Sequence, residues 1–201
     1  MTALPSDFLF SQASLQDFVD CRRRFWLRYV ERLGWPAAAA EPIEEHERRL
    51  DLGLAFHKVV QQDIVGIPEQ RIFDSIRDPD LLTWWRNYLD HRPLETYIGS
   101  AAPGGLRCEY GLVGSVRGAR LIAKYDAVGL DRSGRAVILD WKTSLRRPPD
   151  QALEMRLQTR VYPLLLTVAG AAMNAGEDVS ADNIEMIYWF LTKSEKTDSR
   201  T

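Results

Sequence analysis

The run Ala136-Val137-Ile138-Leu139-Asp140-Trp141-Lys142 decides how this chain reads. Four apolar residues describe a strand buried on both faces, and the strand ends on a carboxylate, a tryptophan and a lysine. Asp131-Arg132-Ser133-Gly134-Arg135 precedes it with turn chemistry, and a second strand-like segment, Ala119 to Leu130, lies before that. With a three-residue loop, Arg132 to Gly134, the glycine takes the left-handed position such hairpins favour, and residues 131 and 135 pair. Counting back sets Asp126 opposite Asp140 and Lys124 opposite Lys142. A two-residue loop at Ser133-Gly134 would send the aspartates to opposite faces, so the pairing depends on register.

Opposed carboxylates on adjacent strands have Cβ atoms about 4.5–5.5 Å apart and destabilise the sheet if both are charged. At an effective dielectric near 20 they repel by roughly 3 kcal/mol, a large share of a domain's net stability. A shared proton, the nearby lysines or a divalent cation would offset this. Two aspartates and a lysine ending a buried strand suit a hard cation held through oxygen. The plain alternative is a solvated strand end with an incidental Asp/Lys pair. The wholly apolar run before Asp140, the opposed register and the opposite facing of Trp141 weigh against it.

The 201 residues can bury one substantial core, and the composition is that of an ordinary globular protein. The net charge of −2 gives no global signal for nucleic acid, but basic residues cluster locally. Arg22, Arg23, Arg24, Arg28 and Arg32 crowd the N-terminal segment, and Arg146, Arg147, Arg156 and Arg160 follow the Asp-Trp-Lys strand. Cys21 and Cys108 are the only cysteines, and no secretory or transmembrane segment is visible, so a cytoplasmic protein with free thiols is expected. Pro36 to Pro42 reads as a spacer, and residues 193–201 as a polar tail.

Residues 1–100 read as mainly helical. A helix capped by Ser14, with Asp17 three residues on, carries Leu15, Phe18, Val19, Trp26, Tyr29 and Val30 at helical spacing. Others run from about Glu44 to Ile64 and from Asp80 to Asp90, the latter with Trp84 and Trp85 in the core. Residues 106–192 read as the sheet and its helix: Leu106 to Val116, Ala119 to Leu130 and Ala136 to Trp141 as antiparallel strands, a helix over Asp150 to Ala169, and a strand over Ile184 to Leu191. Pro163 is expected to kink that helix. Its core stripe is read as Leu157, Val161, Leu164, Leu165 and Val168, with Gln158 and Tyr162 four residues apart beside it.

His57 lies in an apolar helix, where a lone histidine is more often a hydrogen-bonded boundary residue than a ligand. Gly53, one turn earlier, costs about 1 kcal/mol of helix propensity relative to alanine and leaves room for close packing or a ligand. Arg22-Arg23-Arg24 beside Phe25 and Trp26 suits phosphate contact and base stacking, though such a run is usually solvated and Trp26 fits the core. Glu109 is either a surface ladder residue or an accessory of the aspartate cluster.

Taken together the motifs resemble the RecB-type branch of the PD-(D/E)xK nuclease superfamily, including the CRISPR-associated adaptation exonucleases. They are Phe10-Ser11-Gln12-Ala13-Ser14-Leu15-Gln16-Asp17-Phe18-Val19-Asp20-Cys21-Arg22, Gly53-Leu54-Ala55-Phe56-His57, Lys124-Tyr125-Asp126, Leu139-Asp140-Trp141-Lys142-Thr143 and Gln158-Thr159-Arg160-Val161-Tyr162, in the family's order. The resemblance implies one nuclease domain over residues 1–192, an α/β fold with a restriction-endonuclease-like core: a central mixed sheet flanked by helices, after a helical N-terminal region. It implies Mg²⁺ or Mn²⁺ held by His57, Asp126, Asp140 and the Trp141 backbone carbonyl, and a catalytic group of Lys142, Asp126, Asp140, Gln158 and Tyr162. Lys142 would orient or activate water, and Gln158 and Tyr162 would brace the site. Arg22, Arg23, Arg24, Arg146 and Arg147 become candidate DNA contacts.

The expected activity is hydrolysis of single-stranded DNA or DNA ends, exonucleolytic rather than endonucleolytic, in repair, recombination or defence, with protein partners in such a complex and no membrane. The alternative is a catalytically inactive DNA-binding module of a larger complex; a sugar hydrolase using paired carboxylates has little else behind it. Many relatives carry an iron–sulfur cluster on four cysteines. Cys21 matches the first position, but the later three are absent, so no cluster is expected in this chain.

Overall fold

A computed structural model describes residues 4–33, 43–98, 101–131, 135–144, 146–174 and 176–191. Five strands form one mixed sheet in the order β1-β3-β4-β5, with β2 paired to β3: β1 (Leu9–Ser11), β2 (Ala101–Val116), β3 (Ala119–Asp131), β4 (Ala136–Lys142) and β5 (Ile184–Phe190). β1 runs parallel to β3, while β3 and β4 are antiparallel. The chain divides into two compact units. One comprises Met1–Ala38, Gly111–Tyr125 and Pro148–Ile184; the other comprises Ala39–Tyr110, Asp126–Arg147 and Glu185–Thr201.

The second unit holds the larger apolar core. Helix α3 (Ile43–Ile64) sends Leu52, Phe56, Val59 and Val60 inward, a spacing that keeps one face apolar. Helix α5 (Pro79–His91) starts where the Asp78 carboxylate accepts from the backbone N–H groups of Asp80 and Leu81, with Pro79 preset at its first position. It buries Trp84, Trp85 and Tyr88 against Phe56, Trp141 and Trp189, as expected of the two tryptophans. Two short helices, α4 (Glu69–Ser75) and α6 (Pro93–Tyr97), are too brief to leave a periodic signature and were not foreseen. Residues 127–130 pair with 139–136, and one further step in this register joins Asp126 to Asp140. The register therefore matches the three-residue loop and excludes the two-residue one; the loop, 132–134, lies outside the described residues, as do the spacer 36–42 and the tail 193–201.

The first unit corrects several expectations. Helix α1 (Gln12–Asp20) is capped by Ser11, not Ser14: the Ser11 hydroxyl accepts from the Ser14 N–H while the Ser14 hydroxyl accepts from the Ser11 N–H. The single helix read through Val30 breaks at Cys21, whose extended backbone and sulfur cap the one-turn α2 (Arg22–Phe25), and a π-helical turn, Trp26–Val30, follows. Phe25 is buried rather than Trp26, which is half-exposed with its indole N–H on Glu31, and Phe18 and Val19 are exposed.

The long helix is two, α7 (Asp150–Glu154) and α8 (Leu157–Ala169), interrupted at extended Arg156, and α8 continues helically through Pro163. Its start is set by a distant partner, the Gln16 side chain, which accepts from the Leu157 N–H at 3.2 Å. The buried face of α8 is Gln158, Val161, Tyr162, Leu165 and Leu166, whereas Leu164 and Val168 are exposed. The apolar stripe is thus rotated from the expected one, and the two polar residues lie on it.

Candidate active site

Four elements of the second unit converge on one group of polar side chains. β4 is buried from Ala136 to Trp141, so Asp140 ends an apolar strand with only 3% of its surface accessible. Trp141 turns to the opposite face, into the aromatic core. Its backbone N–H donates to the Asp126 carboxylate at 2.8 Å, which anchors Asp126 beside the end of β4. Helix α3 supplies His57, whose Nδ1 lies 3.3 Å from Asp126 Oδ1 and 3.8 Å from Glu109 Oε1. Glu109 departs from the β2 pleat with φ of 48°, a left-handed backbone that side-chain-bearing residues adopt at a cost of about 1–2 kcal/mol. Such strain collects at functional sites.

Close approach of α3 to the end of β4 depends on Gly53. A Cβ there would meet the Thr143 hydroxyl oxygen at 3.0 Å, so the missing side chain lets the helix carrying His57, one turn on, sit against the strand carrying Lys142. The Lys142 ammonium lies 2.5 Å from Asp140 Oδ2 and over the ring face of Tyr188. The Lys142 carbonyl accepts from the Leu191 N–H.

The electrostatics are those of a site with surplus negative charge. Burial raises the Asp140 carboxyl to about 6 and Asp126 adds to the rise, against the pull of Lys142. Burial alone would lower the His57 imidazolium, but Asp126, Asp140 and Glu109 outweigh it and the net shift is upward. Glu109, Asp126 and Asp140 thus all draw on His57, while Lys142 is paired to Asp140. Ligand atoms of His57, Glu109 and Asp126 all lie within 4.8 Å of one another. Opposite donors around one divalent ion span about 4–5 Å, so the group fits such an ion by distance, and its oxygen and imidazole donors fit by chemistry.

The structure thus groups His57, Asp126 and Glu109 as possible donors, with the Trp141 N–H on Asp126 and Lys142 paired to Asp140 beside them. Sequence offered Glu109 only as an accessory, because a strand residue's φ leaves no mark in composition. Gln158 and Tyr162 belong to the first unit, both buried on α8; Tyr125, the residue before Asp126, donates from its hydroxyl to the Tyr162 carbonyl at 2.8 Å. Of the candidate arginines, Arg22 and Arg23 are exposed, with Arg22 over the Phe18 ring, while Arg24 is engaged by Asp17 and Asp20. Arg146 is exposed, and Arg147 is half-buried over the Phe190 ring. Cys21 is exposed and Cys108 partly buried, both as free thiols.

The chain belongs to the PD-(D/E)XK nuclease superfamily, whose family model matches residues 9–201. Its fold is similar to the crystal structure of a candidate exonuclease from Eubacterium rectale, with a TM-score of 0.50 and 15% identity, covering 96% of this chain and 71% of that one. The structure of SSO0001 aligns at 13% identity over 76% of this chain and 60% of that one, with a TM-score of 0.32. No curated protein matches. The restriction-endonuclease-like class of the fold follows from the family and the mixed sheet flanked by helices, and membership implies nucleic-acid binding and use of divalent metal. Among the described residues no helix is long and apolar enough to cross a membrane.

Proposed function

We propose that this protein is a Mg²⁺- or Mn²⁺-dependent deoxyribonuclease that hydrolyses phosphodiester bonds in single-stranded DNA or at DNA ends, as an exonuclease. The observation that carries the proposal is the convergence of His57, Glu109 and Asp126 on a common point beside the buried Asp140–Lys142 pair. His57, Asp126 and Asp140, with Glu109 and the Trp141 carbonyl, would hold the ion. When bound, the ion supplies Lewis acidity towards water and phosphate oxygen.

The protein's own groups do the rest. The Trp141 N–H holds Asp126 in one orientation, and His57 is kept against Asp126 by α3. Lys142 presents its ammonium as a hydrogen-bond donor to the attacking water and the scissile phosphate, stabilising charge that grows in the transition state. Gln158 and Tyr162 brace the reacting strand, and Arg22, Arg23, Arg146 and Arg147 contact its phosphates, which would make binding salt-dependent. Arg24 contributes less, since Asp17 and Asp20 already engage it.

Residues 1–192 act as one nuclease domain in this reading, supported by the family match across both units and by the repeated passage of the chain between them. The setting is cytoplasmic DNA repair, recombination or defence, with protein partners of such complexes, a placement supported by the free thiols. The test is degradation of linear single-stranded DNA by purified protein with Mg²⁺ or Mn²⁺, against the same protein in excess chelator. Tight DNA binding without cleavage would instead identify a nuclease-fold binding module.

A further inference from the structure

Lys142 is held by more than its carboxylate. Its ammonium lies 5.2 Å from the centroid of the Tyr188 ring, on β5, and its own carbonyl is hydrogen-bonded to Leu191, three residues further along. Tyr188 is only 6% exposed, so its ring has little freedom to turn away. The Lys142 side chain is itself only 22% exposed. Its contacts thus include two attractors of different kinds, a buried carboxylate and a buried aromatic face.

The two differ in what they leave the ammonium able to do. An ion pair with Asp140 takes up a donor hydrogen and offsets the charge, and any cation drawn to Asp140 competes with Lys142 for the same oxygens. An aromatic face attracts the ammonium through its quadrupole while leaving the net positive charge intact and the N–H groups on the far side open to a water or a phosphate oxygen. We infer that Tyr188 is a positioning residue: its ring face holds the Lys142 ammonium at the end of β4, ready to donate when Asp140 is engaged elsewhere. The inference rests on the reading of Lys142 as the active-site lysine.

Tyr188→Phe keeps the face and Tyr188→Leu removes it. On linear single-stranded DNA with Mn²⁺, Tyr188→Leu should lower kcat roughly 3- to 30-fold, the effect of losing one partly desolvated cation–π contact, with KM little changed. Tyr188→Phe should retain most of the wild-type kcat. A second measurement needs neither metal nor substrate: in chelator, Tyr188→Leu should lower the denaturation midpoint more in the wild-type background than in Lys142→Met, where no cation remains to be held. Equal losses in both backgrounds would overturn the inference, as would a Tyr188→Phe kcat as low as that of Tyr188→Leu. Undiminished cleavage by Lys142→Ala would instead overturn the catalytic reading beneath it, so the two failures are distinguishable.

Discussion

Asp17 and Asp140 are both buried aspartates, and their surroundings are opposites. Asp17, in the first unit, is matched: Arg24 Nε at 2.8 Å, Arg28 at 3.1 Å and the Tyr29 hydroxyl at 3.2 Å all point donors at its carboxylate. Asp140, in the second unit, has Lys142 beside it but also the charges of Asp126 and, through His57, Glu109, and its carboxyl is raised to about 6. One carboxylate is complete within its own fold. The other lies in a group where Glu109, Asp126 and Asp140 come together with Lys142 and His57, and its raised carboxyl marks a place that added positive charge would stabilise. In the function proposed above, the contrast separates an aspartate that holds structure from one that would hold a ligand.

The largest expected effect tests that separation through chemistry. Lys142→Ala, Asp126→Ala and Asp140→Ala should each reduce cleavage of linear single-stranded DNA by about 10³-fold or more, as loss of a transition-state donor or a metal-holding group does. Asp17→Asn, assayed per folded molecule, should cleave within a few-fold of wild type. Comparable losses at Asp17 and Asp140 would abolish the distinction.

Next in size is the response to metal. A ligand that binds only the folded state at 100 times its Kd stabilises by about 2.7 kcal/mol. Mn²⁺ titrated into the wild-type protein should raise the thermal midpoint accordingly, and Asp126→Ala or Glu109→Ala should flatten the response while Asp17→Asn leaves it intact. An unchanged midpoint across the titration in wild type would remove the ion from this site.

Much of this contrast was legible in the sequence, for reasons that particular residues make plain. The turn residues between β3 and β4 placed Asp126 against Asp140, because a three-residue loop with glycine in its left-handed position sets the register that the two strands adopt. The residues alone put His57 on a helix, and only the family resemblance set it with Asp126, since Gly53 and Thr143 meet only in three dimensions. Glu109 owes its position to a left-handed φ, and the interruption before α8 to Gln16, far away in sequence. The rotated face of α8 has a similar origin: Gln158 is buried by tertiary packing that hydrophobicity does not report. Asp17 reads in sequence as the partner of a Ser14 cap, because Arg24 and Arg28 reach it only after the chain breaks at Cys21.

A smaller effect belongs to stability at Asp17. Replacing its carboxylate by an amide removes charge from three donors at once, but Arg24 and Arg28 are half-exposed and regain water. Asp17→Asn should therefore destabilise by about 2 kcal/mol, the lower part of the range for charged hydrogen bonds, in a denaturant titration at neutral pH. No loss would mean that solvent replaces the arginines freely.

The smallest effect has the opposite sign and rests on the raised Asp140 carboxyl. Its ordinary value is 3.8 and its folded value about 6, so the fold prefers the protonated form. Below 3.8 both folded and unfolded chains carry the proton. Between 3.8 and 6 the unfolded chain ionises first, so stability falls as pH rises, and above 6 the whole penalty is present. A two-unit shift bounds that penalty at about 3 kcal/mol with the pull of Lys142 already included, and the amide put in its place must itself be hydrogen-bonded in the same buried site, so a net of about 1 kcal/mol is expected. In chelator at pH 7.5, Asp140→Asn should be more stable than wild type by that amount, and the advantage should disappear near pH 4. Saturating Mn²⁺ should reverse the order by stabilising only the wild type. An Asp140→Asn protein less stable than wild type at pH 7.5 without metal would place Asp140 beside Asp17, as a carboxylate whose charge the fold already satisfies.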